Sequence, residues 1–150
     1  MKVVRPRRYG GLRSSRYRAR VSLSRLGDLS ETELLDRVLP VYAAALGDAA
    51  QILVGPGDDA AVLRAAAAGV VVTTDTMVRD LDWRDDWSSG REVGRKAVVQ
   101  NVADVLAMGG RPTGLLVALM ADPQTTVAWV MDLAQGIAEA LTNTGMGLFV

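Results

Sequence analysis

The chain has 150 residues, of which 49% are hydrophobic and 23% are charged, and this composition suits one globular domain with a core of its own. The sequence contains no cysteine and no histidine, which excludes disulfides, thiolate metal sites and histidine as a general base or metal ligand. Any bound metal must therefore be held by oxygen atoms, which favours Mg²⁺ or another hard cation.

Charge is distributed unevenly along the chain. The formal net charge is zero, but nine of the 17 Lys and Arg residues lie between Lys2 and Arg25, where there is no acidic residue. The remainder carries eight basic and 17 acidic residues, a net charge of −9. We interpret residues 1–27 as a basic, disordered extension and residues 28–150 as a domain. The extension either contacts nucleic acid or anionic lipid through its arginines or is a solvated tail, and we expect the tail.

The sequence lacks the features of membrane and secreted proteins. No apolar run approaches the roughly 20 residues that are needed to cross a bilayer. The N-terminal arm also lacks the apolar segment of a secretory signal. We therefore expect a cytoplasmic protein without a membrane or nucleic-acid partner.

The first predicted helix begins after Ser30, because Ser30 and Glu33 form a capping-box pattern ahead of an apolar run. Pro40 has no amide hydrogen, so it should kink this helix or end its first half. The short apolar run "QILV" and a Gly-Pro-Gly turn follow. The β-branched run "AGVVVTTDT" then predicts a buried strand.

Helices and strands continue to alternate in the second half of the chain. Ser88 or Ser89 caps a second predicted helix, which ends at Gly109 and Gly110. The strand "TGLLVALM", a helix over "TTVAWVMDLAQGIAEALTNTG" and the strand "MGLFV" follow. This alternation indicates an α/β or α+β domain. Because a domain rarely ends inside a core strand, we expect that the sequence is truncated.

Acidic residues recur where apolar segments meet turns. Asp58 and Asp59 lie in "GPGDDAAVL", Asp75 ends the β-branched run among threonines, and Asp104 follows Asn101 by three residues on the second helix. Clustered carboxylates repel one another unless a cation lies between them, and Mg²⁺ binds carboxylate and hydroxyl oxygens. The acids either share a metal site or serve separately as a turn residue, a strand-end cap and a solvated helix acid.

Four motifs in order resemble thiamine-monophosphate kinase, a family of the aminoimidazole ribonucleotide synthetase-like superfamily. They are "GPGDDAAVL", "VVTTDTMV", "DWSSGREVGRKAVVQNVADVLAMGGRPTGLLVAL" and "GIAEALTNTGMGLFV". The resemblance implies the N-terminal domain of that fold, a mixed β-sheet flanked by helices that dimerises through its strands. It also implies Mg²⁺-assisted transfer of the γ-phosphoryl group of ATP to thiamine monophosphate, giving thiamine diphosphate.

The resemblance also implies residue roles. The metal ligands that it implies are Asp59, Thr73, Thr74, Asp75 and Asp104. The nucleotide contacts that it implies are Gly57, Asp58 and Asn101. Asp82 and Trp83 stand where the family usually has His-Phe at its substrate contact. Either Trp83 stacks on a thiamine ring and Asp82 pairs with the cationic thiazolium, or substrate selection has been lost.

One departure from the family concerns length. The family continues into a "GGD" motif, which supplies a further metal and nucleotide ligand, and into a second domain, and neither is present in this sequence. The resemblance therefore implies the N-terminal half of a phosphotransferase, which forms a homodimer. A non-catalytic remnant or dimerisation module of the same superfamily is the alternative. We expect no useful kinase activity from the 150 residues alone.

Overall fold

The computed structural model of the chain describes residues 24–45, 52–54, 62–64, 67, 69–144 and 147–149. A 3-10 turn, Leu26–Asp28, comes before the helices, which are α1 (Glu31–Ala43), α2 (Gly90–Ala107) and α3 (Val127–Thr144). The strands are β1 (Ile52–Val54), β2 (Val62–Leu63), β3 (Gly114–Leu116) and β4 (Gly147–Phe149). The mixture of helices and strands fits the predicted α/β class.

The described strands form two separate pairs. Strands β1 and β2 are antiparallel, with Ile52 opposite Leu63, and β3 and β4 are parallel, with Gly114 opposite Gly147. Within the described residues these pairs do not join into the single mixed sheet that the resemblance implies. Most of the described regular structure is therefore helical.

Helix α3 is the centre of the core and packs against both α1 and α2. Its buried side chains recur every three or four residues, as expected for a helix with one apolar face: Val127, Val130, Leu133, Ala134, Ile137, Ala138 and Leu141. Val38 and Tyr42 of α1, Val93 and Val98 of α2, and Leu115 of β3 complete the buried cluster. The predicted apolar face of the third helix is confirmed at Leu133, Ile137 and Leu141, whereas Trp129 is only half-buried.

Helices α2 and α3 approach closely because glycines lie at their contact. A Cβ atom on Gly94 would collide with the carbonyl oxygen of Leu133, and one on Gly136 would collide with the carbonyl oxygen of Arg91. Only a residue without a side chain fits at these two positions. The close approach fixes α2, which carries the predicted site residues Asn101 and Asp104, against the core.

The helix boundaries follow local signals. The Ser30 hydroxyl accepts a hydrogen bond from the Glu33 backbone N–H at 3.3 Å, and the Glu33 carboxylate accepts one from the Ser30 backbone N–H at 2.9 Å, so the predicted capping box is confirmed. Of the two effects predicted for Pro40, an end to the first half of the helix is wrong, because α1 continues to Ala43, and a kink stays a prediction. Proline removes only its own amide donor, and the Pro40 carbonyl still accepts a hydrogen bond from the Ala44 N–H at 3.4 Å.

Helix α2 begins with a second capping box. Ser89, and not Ser88, is the N-cap, and its hydroxyl accepts a hydrogen bond from the Glu92 N–H at 3.3 Å. The backbone hydrogen bond from Ser89 and then the one from its hydroxyl hold the pKa of Glu92 below its usual value. The helix ends as predicted before Gly109, whose φ of 71° is left-handed and favours glycine.

The β-branched run does not form a buried strand. Residues 70–78 carry neither helix nor strand, and Val70 and Val72 are 65% and 84% exposed. The prediction of a buried strand here is therefore wrong. A high β-propensity describes side chains that fit a half-buried sheet surface, and it needs a neighbouring strand, which the described residues do not supply.

The last residues of the predicted extension pack against the loop before α3. The Leu26 and Gly27 N–H groups donate to the carbonyls of Thr125 and Pro123, both at 2.9 Å. The Val127 N–H donates to the Ser24 carbonyl at the same distance. Residues 1–23 of the extension lie outside the described residues. In the described part of the chain, no helix has the length and apolar character to cross a bilayer.

Candidate functional site

Residues 73–82 run along α2 in the opposite direction to the helix. The Thr73 hydroxyl donates to the Asp104 carboxylate near the C-terminal end of α2, at 3.4 Å. The Lys96 ammonium donates to the Asp82 carbonyl near the N-terminal end, at 2.6 Å. Eight residues of helix separate Lys96 from Asp104, which is about 12 Å. One face of α2 thus lies beside both Thr73, a predicted metal ligand, and Asp82, a predicted substrate contact.

Thr73 and Asp104 bring two hard oxygen atoms together from separate elements. Thr73 is half-buried and Asp104 is exposed. Neighbouring ligands of an octahedral Mg²⁺ ion, at its usual distance of about 2.1 Å from oxygen, are about 3.0 Å apart. The observed separation of 3.4 Å is that of a long hydrogen bond, so the two oxygens would have to approach slightly to occupy adjacent ligand positions of Mg²⁺.

The position of Asp104 in its helix is unfavourable for the helix itself. It lies in the last turn of α2, which ends at Ala107. The unpaired carbonyls there carry partial negative charge, which disfavours an acidic side chain by roughly 0.3–1 kcal/mol. Helix stability therefore does not account for this carboxylate, whereas a cation at the Thr73–Asp104 pair would offset the repulsion.

Other predicted metal ligands are exposed or lie outside the described residues. Thr74 and Asp75 follow Thr73 directly and are exposed. Gly57, Asp58 and Asp59 lie outside the described residues. In the part of the chain that the structure describes, no three acidic side chains lie close enough to hold a metal ion together. The full predicted ligand set therefore stays a prediction.

Asn101 lies one turn before Asp104 on α2. Its side-chain amide donates to the Ala97 carbonyl of the same helix at 2.9 Å, and the residue is half-buried. Residues three apart share a helix face, so Asn101 lies beside Asp104. The bond to Ala97 fixes the amide group against α2, and the predicted nucleotide contact stays a prediction.

Asp82 closes a tight turn. Its carboxylate accepts a hydrogen bond from the Val78 N–H at 2.7 Å, and its own N–H donates to the Val78 carbonyl at 2.8 Å. Asp80 inside this turn has a φ of 66°, a left-handed conformation that Asp tolerates better than most residues. One carboxylate oxygen of Asp82 thus holds the turn that presents Trp83.

Trp83 stacks on Trp129 of α3. The ring centres are 4.8 Å apart and the planes differ by 24°, a favourable geometry for aromatic pairs. Both rings pack against the edge of the buried core. The predicted substrate-side residue is therefore fixed to the helical part of the domain.

The sequence patterns did not identify Lys96 and Trp129 as neighbours of the site. A usable signal existed for Lys96, because a spacing of eight residues places it on the same face of α2 as Asp104. Trp129 lies 46 residues after Trp83, and no local pattern connects the two indoles.

Comparison with known proteins gives one family match. The family described as AIR synthase related protein, N-terminal domain, matches residues 57–149. This range includes every residue of the candidate site, from Gly57 to Trp129.

Several relatives carry the name thiamine-monophosphate kinase. The protein of that name from Mycobacterium tuberculosis is 39% identical over 123 residues, which are 82% of this chain and 36% of the relative. The one from Corynebacterium glutamicum is 40% identical over 118 residues, 77% of this chain and 33% of the relative. The one from Bacillus subtilis is 40% identical over 88 residues, 57% of this chain and 27% of the relative. The chain thus spans about a third of these relatives, and the predicted resemblance to thiamine-monophosphate kinases is confirmed.

Proposed function

We propose that this chain, which belongs to the AIR synthase related protein family, supplies part of the site at which ATP phosphorylates thiamine monophosphate to thiamine diphosphate. The names of its relatives support the substrate and the reaction. The observation that carries the proposal is the meeting of the Thr73 hydroxyl and the Asp104 carboxylate across two elements. ATP and thiamine monophosphate are the proposed small-molecule partners.

Mg²⁺ is the proposed cofactor. Thr73 and Asp104 would hold it, and Thr74, Asp75 and Asp59 are the proposed further ligands. When bound, the ion neutralises negative charge on the β- and γ-phosphates of the nucleotide. Two protein oxygens on adjacent positions leave the other positions to water and phosphate, as is common for Mg²⁺ in nucleotide sites.

The chain's own groups hold the acceptor side of the site in place. Lys96 binds the Asp82 carbonyl, and the Asp82 carboxylate closes the turn, so these contacts fix the turn relative to α2. Trp83 offers an indole supported by Trp129 to the aromatic part of the acceptor. Asn101, Gly57 and Asp58 are the proposed nucleotide contacts. Fixed groups of this kind promote phosphoryl transfer by positioning the reactants.

A homodimer is the proposed assembly. The supporting observation is the exposure of large apolar side chains, between 65% and 96% at Val70, Val72, Leu116 and Met120, because apolar surface of this kind is a candidate for an interface. Sedimentation at micromolar concentration tests this part of the proposal. We expect a species of twice the mass of the chain, and a compact monomer would contradict it.

An ADP-release assay tests the proposed reaction. We expect a chimera, in which this chain is continued by the remaining residues of the Corynebacterium glutamicum relative, to release ADP only when both thiamine monophosphate and Mg²⁺ are present. Asp104→Ala in the chimera should lower the rate about a hundredfold or more, because a positioned electrostatic contact is lost. Asp36→Ala, which removes an exposed acid on α1, is the matched control and should leave the rate unchanged. A chimera that releases no ADP while the relative itself is active, or that tolerates Asp104→Ala, would contradict the proposal.

A further inference from the structure

The segment after residue 78 contains an arginine that lies over a tryptophan. The guanidinium carbon of Arg79 is 6.0 Å from the ring centre of Trp83, and its guanidinium also forms an ion pair with Asp85. Trp129 covers one face of the Trp83 indole at 4.8 Å. Because a stacked ring fills the face that it covers, the guanidinium approaches the other, outer face.

The same segment contains a second arrangement of the same kind. The guanidinium carbon of Arg84 is 4.4 Å from the ring centre of Trp87, and Arg84 forms an ion pair with Asp86 at 2.7 Å. Trp87 is 71% exposed, and no stacked ring supports it within the described residues. In both arrangements an arginine lies over a tryptophan, but among the described residues only the Trp83 indole is stacked on a second ring.

This difference makes Trp83 the better platform for a ligand. Its indole is half-buried and immobilised by Trp129, so a ligand that stacks on the outer face does not have to order the ring first. At 6.0 Å the Arg79 guanidinium lies at the outer limit of a cation–π contact, which is about 6 Å. Arg84 at 4.4 Å is well inside that limit. Arg79 is therefore the more easily displaced of the two cations.

The surrounding charge also favours a cation. Residues 79–87 hold two arginines and four aspartates, which are Asp80, Asp82, Asp85 and Asp86. The segment keeps a negative net charge even with both arginines in place. A cation that takes the place of Arg79 over Trp83 would thus enter a region of negative potential, and Asp85 would keep the displaced guanidinium nearby.

We propose that Arg79 covers the outer face of Trp83 in the free protein and competes there with a flat organic cation, so that Arg79 sets the affinity and specificity of this face of the proposed acceptor site. Trp129 is the positioning residue that supports the indole. The inference rests on the proposed function in one respect, because that function identifies the physiological cation as the thiazolium ring of thiamine monophosphate. Neither Arg79 nor Trp129 was among the site residues predicted from the sequence.

Removing Arg79 should strengthen binding of the cation. The variant loses the competing cation and leaves Asp85 without its partner, and both changes favour an incoming positive charge. An exposed cation–π contact of this type corresponds to a change of about two- to fivefold in affinity. Arg84→Ala removes the same charge from the same segment without uncovering Trp83, so it controls for the change in net charge.

The test uses the 150-residue chain with Trp87→Phe, so that fluorescence quenching reports only on Trp83 and Trp129. The probes are 3,4-dimethylthiazolium as the cation and 4-methylthiazole as its neutral counterpart. We expect Arg79→Ala to bind the cation two- to fivefold more tightly than the parent, and Arg84→Ala to change its affinity by clearly less. Affinity for the neutral probe, which gains the uncovered face but no charge attraction, should rise in Arg79→Ala by less than the affinity for the cation and should not change in Arg84→Ala. Equal tightening in both arginine variants, or none in Arg79→Ala, would overturn the inference.

A second arm separates this inference from the proposed function. If Arg79→Ala tightens binding of dimethylthiazolium but neither protein binds thiamine monophosphate, the cation site stands and the proposed substrate is contradicted. If thiamine monophosphate binds parent and Arg79→Ala equally, the proposed substrate stands and the role of Arg79 is overturned. Trp129→Leu should weaken cation binding while far-ultraviolet circular dichroism shows retained helices. The comparison of Arg79→Ala with Arg84→Ala does not depend on whether Trp129→Leu folds, because both arginines are exposed.

Discussion

The helical core and the segment of residues 70–87 differ in how they are held. In the core, Val98, Ile137 and Leu141 are at most 1% exposed, and two helix backbones meet at glycines. In the segment, Val72 and Leu81 are more than 80% exposed, and attachment to α2 and α3 depends on a few side chains. Those side chains, Thr73, Asp82 and Trp83, are the ones with proposed functions. Stability is therefore concentrated in the helices, whereas the candidate site lies on a weakly packed segment that they support.

Truncating a core side chain should have the largest effect on stability. Ile137→Ala removes a fully buried side chain from α3 and should lower the free energy of unfolding by about 2–5 kcal/mol. Val72→Ala, in the exposed segment, should change it by about 0.5 kcal/mol or less. Urea unfolding followed by circular dichroism measures both. Similar losses in the two variants would show that the segment is packed more firmly than its exposure indicates.

The start of α2 offers a matched pair of neighbouring serines. Ser89→Ala removes the hydroxyl that caps the helix and should lower the free energy of unfolding by about 1 kcal/mol. Ser88→Ala changes the adjacent residue, which does not cap the helix, and should have a much smaller effect. Thermal unfolding of the two variants compares them directly. An equal loss of stability in both would contradict the capping role of Ser89.

The ion pairs between α2 and α3 predict a smaller, pH-dependent effect. Arg95 donates to Glu139 at 2.5 Å and Arg91 at 3.1 Å, and the hydrogen bond from Arg95 is the main cause that holds the pKa of Glu139 below its usual value of 4.5. The lowered pKa means that Glu139 contributes stability above pH 4.5 and loses it as the pH falls through the folded-state value.

Glu139→Gln should therefore lower the melting temperature slightly at neutral pH and flatten its decline below pH 4.5. Melting temperatures of the parent and the variant between neutral and acidic pH measure the difference. Parallel curves would mean that Glu139 makes no contribution that depends on its charge. Because the Glu139 carboxylate is partly exposed, solvent weakens its ion pairs, and we expect a difference well below that of the core truncation.

Local signals in the sequence were sufficient for the helices. Ser30 with Glu33, Gly109 and the spacing of Leu133 and Ile137 each depend on residues within one or two turns, and the structure confirms them. One failed prediction, the helix end at Pro40, gave a local signal too much weight, and the other, the buried strand, depended on distant partners. Residues 70–78 have the composition of a strand, but the burial of a strand is decided by its neighbours in space and not by its own side chains.

In the candidate site, too, some residues could be identified from the sequence and others only from the structure. Thr73 and Asp104 are 31 residues apart. The pattern of acids singled out Asp104 and left a shared metal site as one of two possibilities, and only the resemblance to a family assigned a metal role to both residues. Composition explains why the acids suit a hard cation, because no cysteine or histidine competes for it. Trp129 could not be assigned to the site from spacing, since its partner Trp83 lies in the irregular segment whose path only the structure shows. The spacing of Lys96 places it on the Asp104 face of α2, but its contact with Asp82 also required the path of that segment.

The central claim is that Thr73 and Asp104 form part of a Mg²⁺ site, and magnesium-dependent melting of the chain tests it most directly. A ligand that binds only the folded state stabilises it by about 1.4 kcal/mol at ten times its Kd. The melting temperature of the parent should therefore rise as Mg²⁺ is added. Asp36→Asn, which alters an exposed acid on α1, should keep this rise, and Asp104→Asn should lose most of it. A parent that does not respond to Mg²⁺, or an equal response in Asp104→Asn, would contradict the claim.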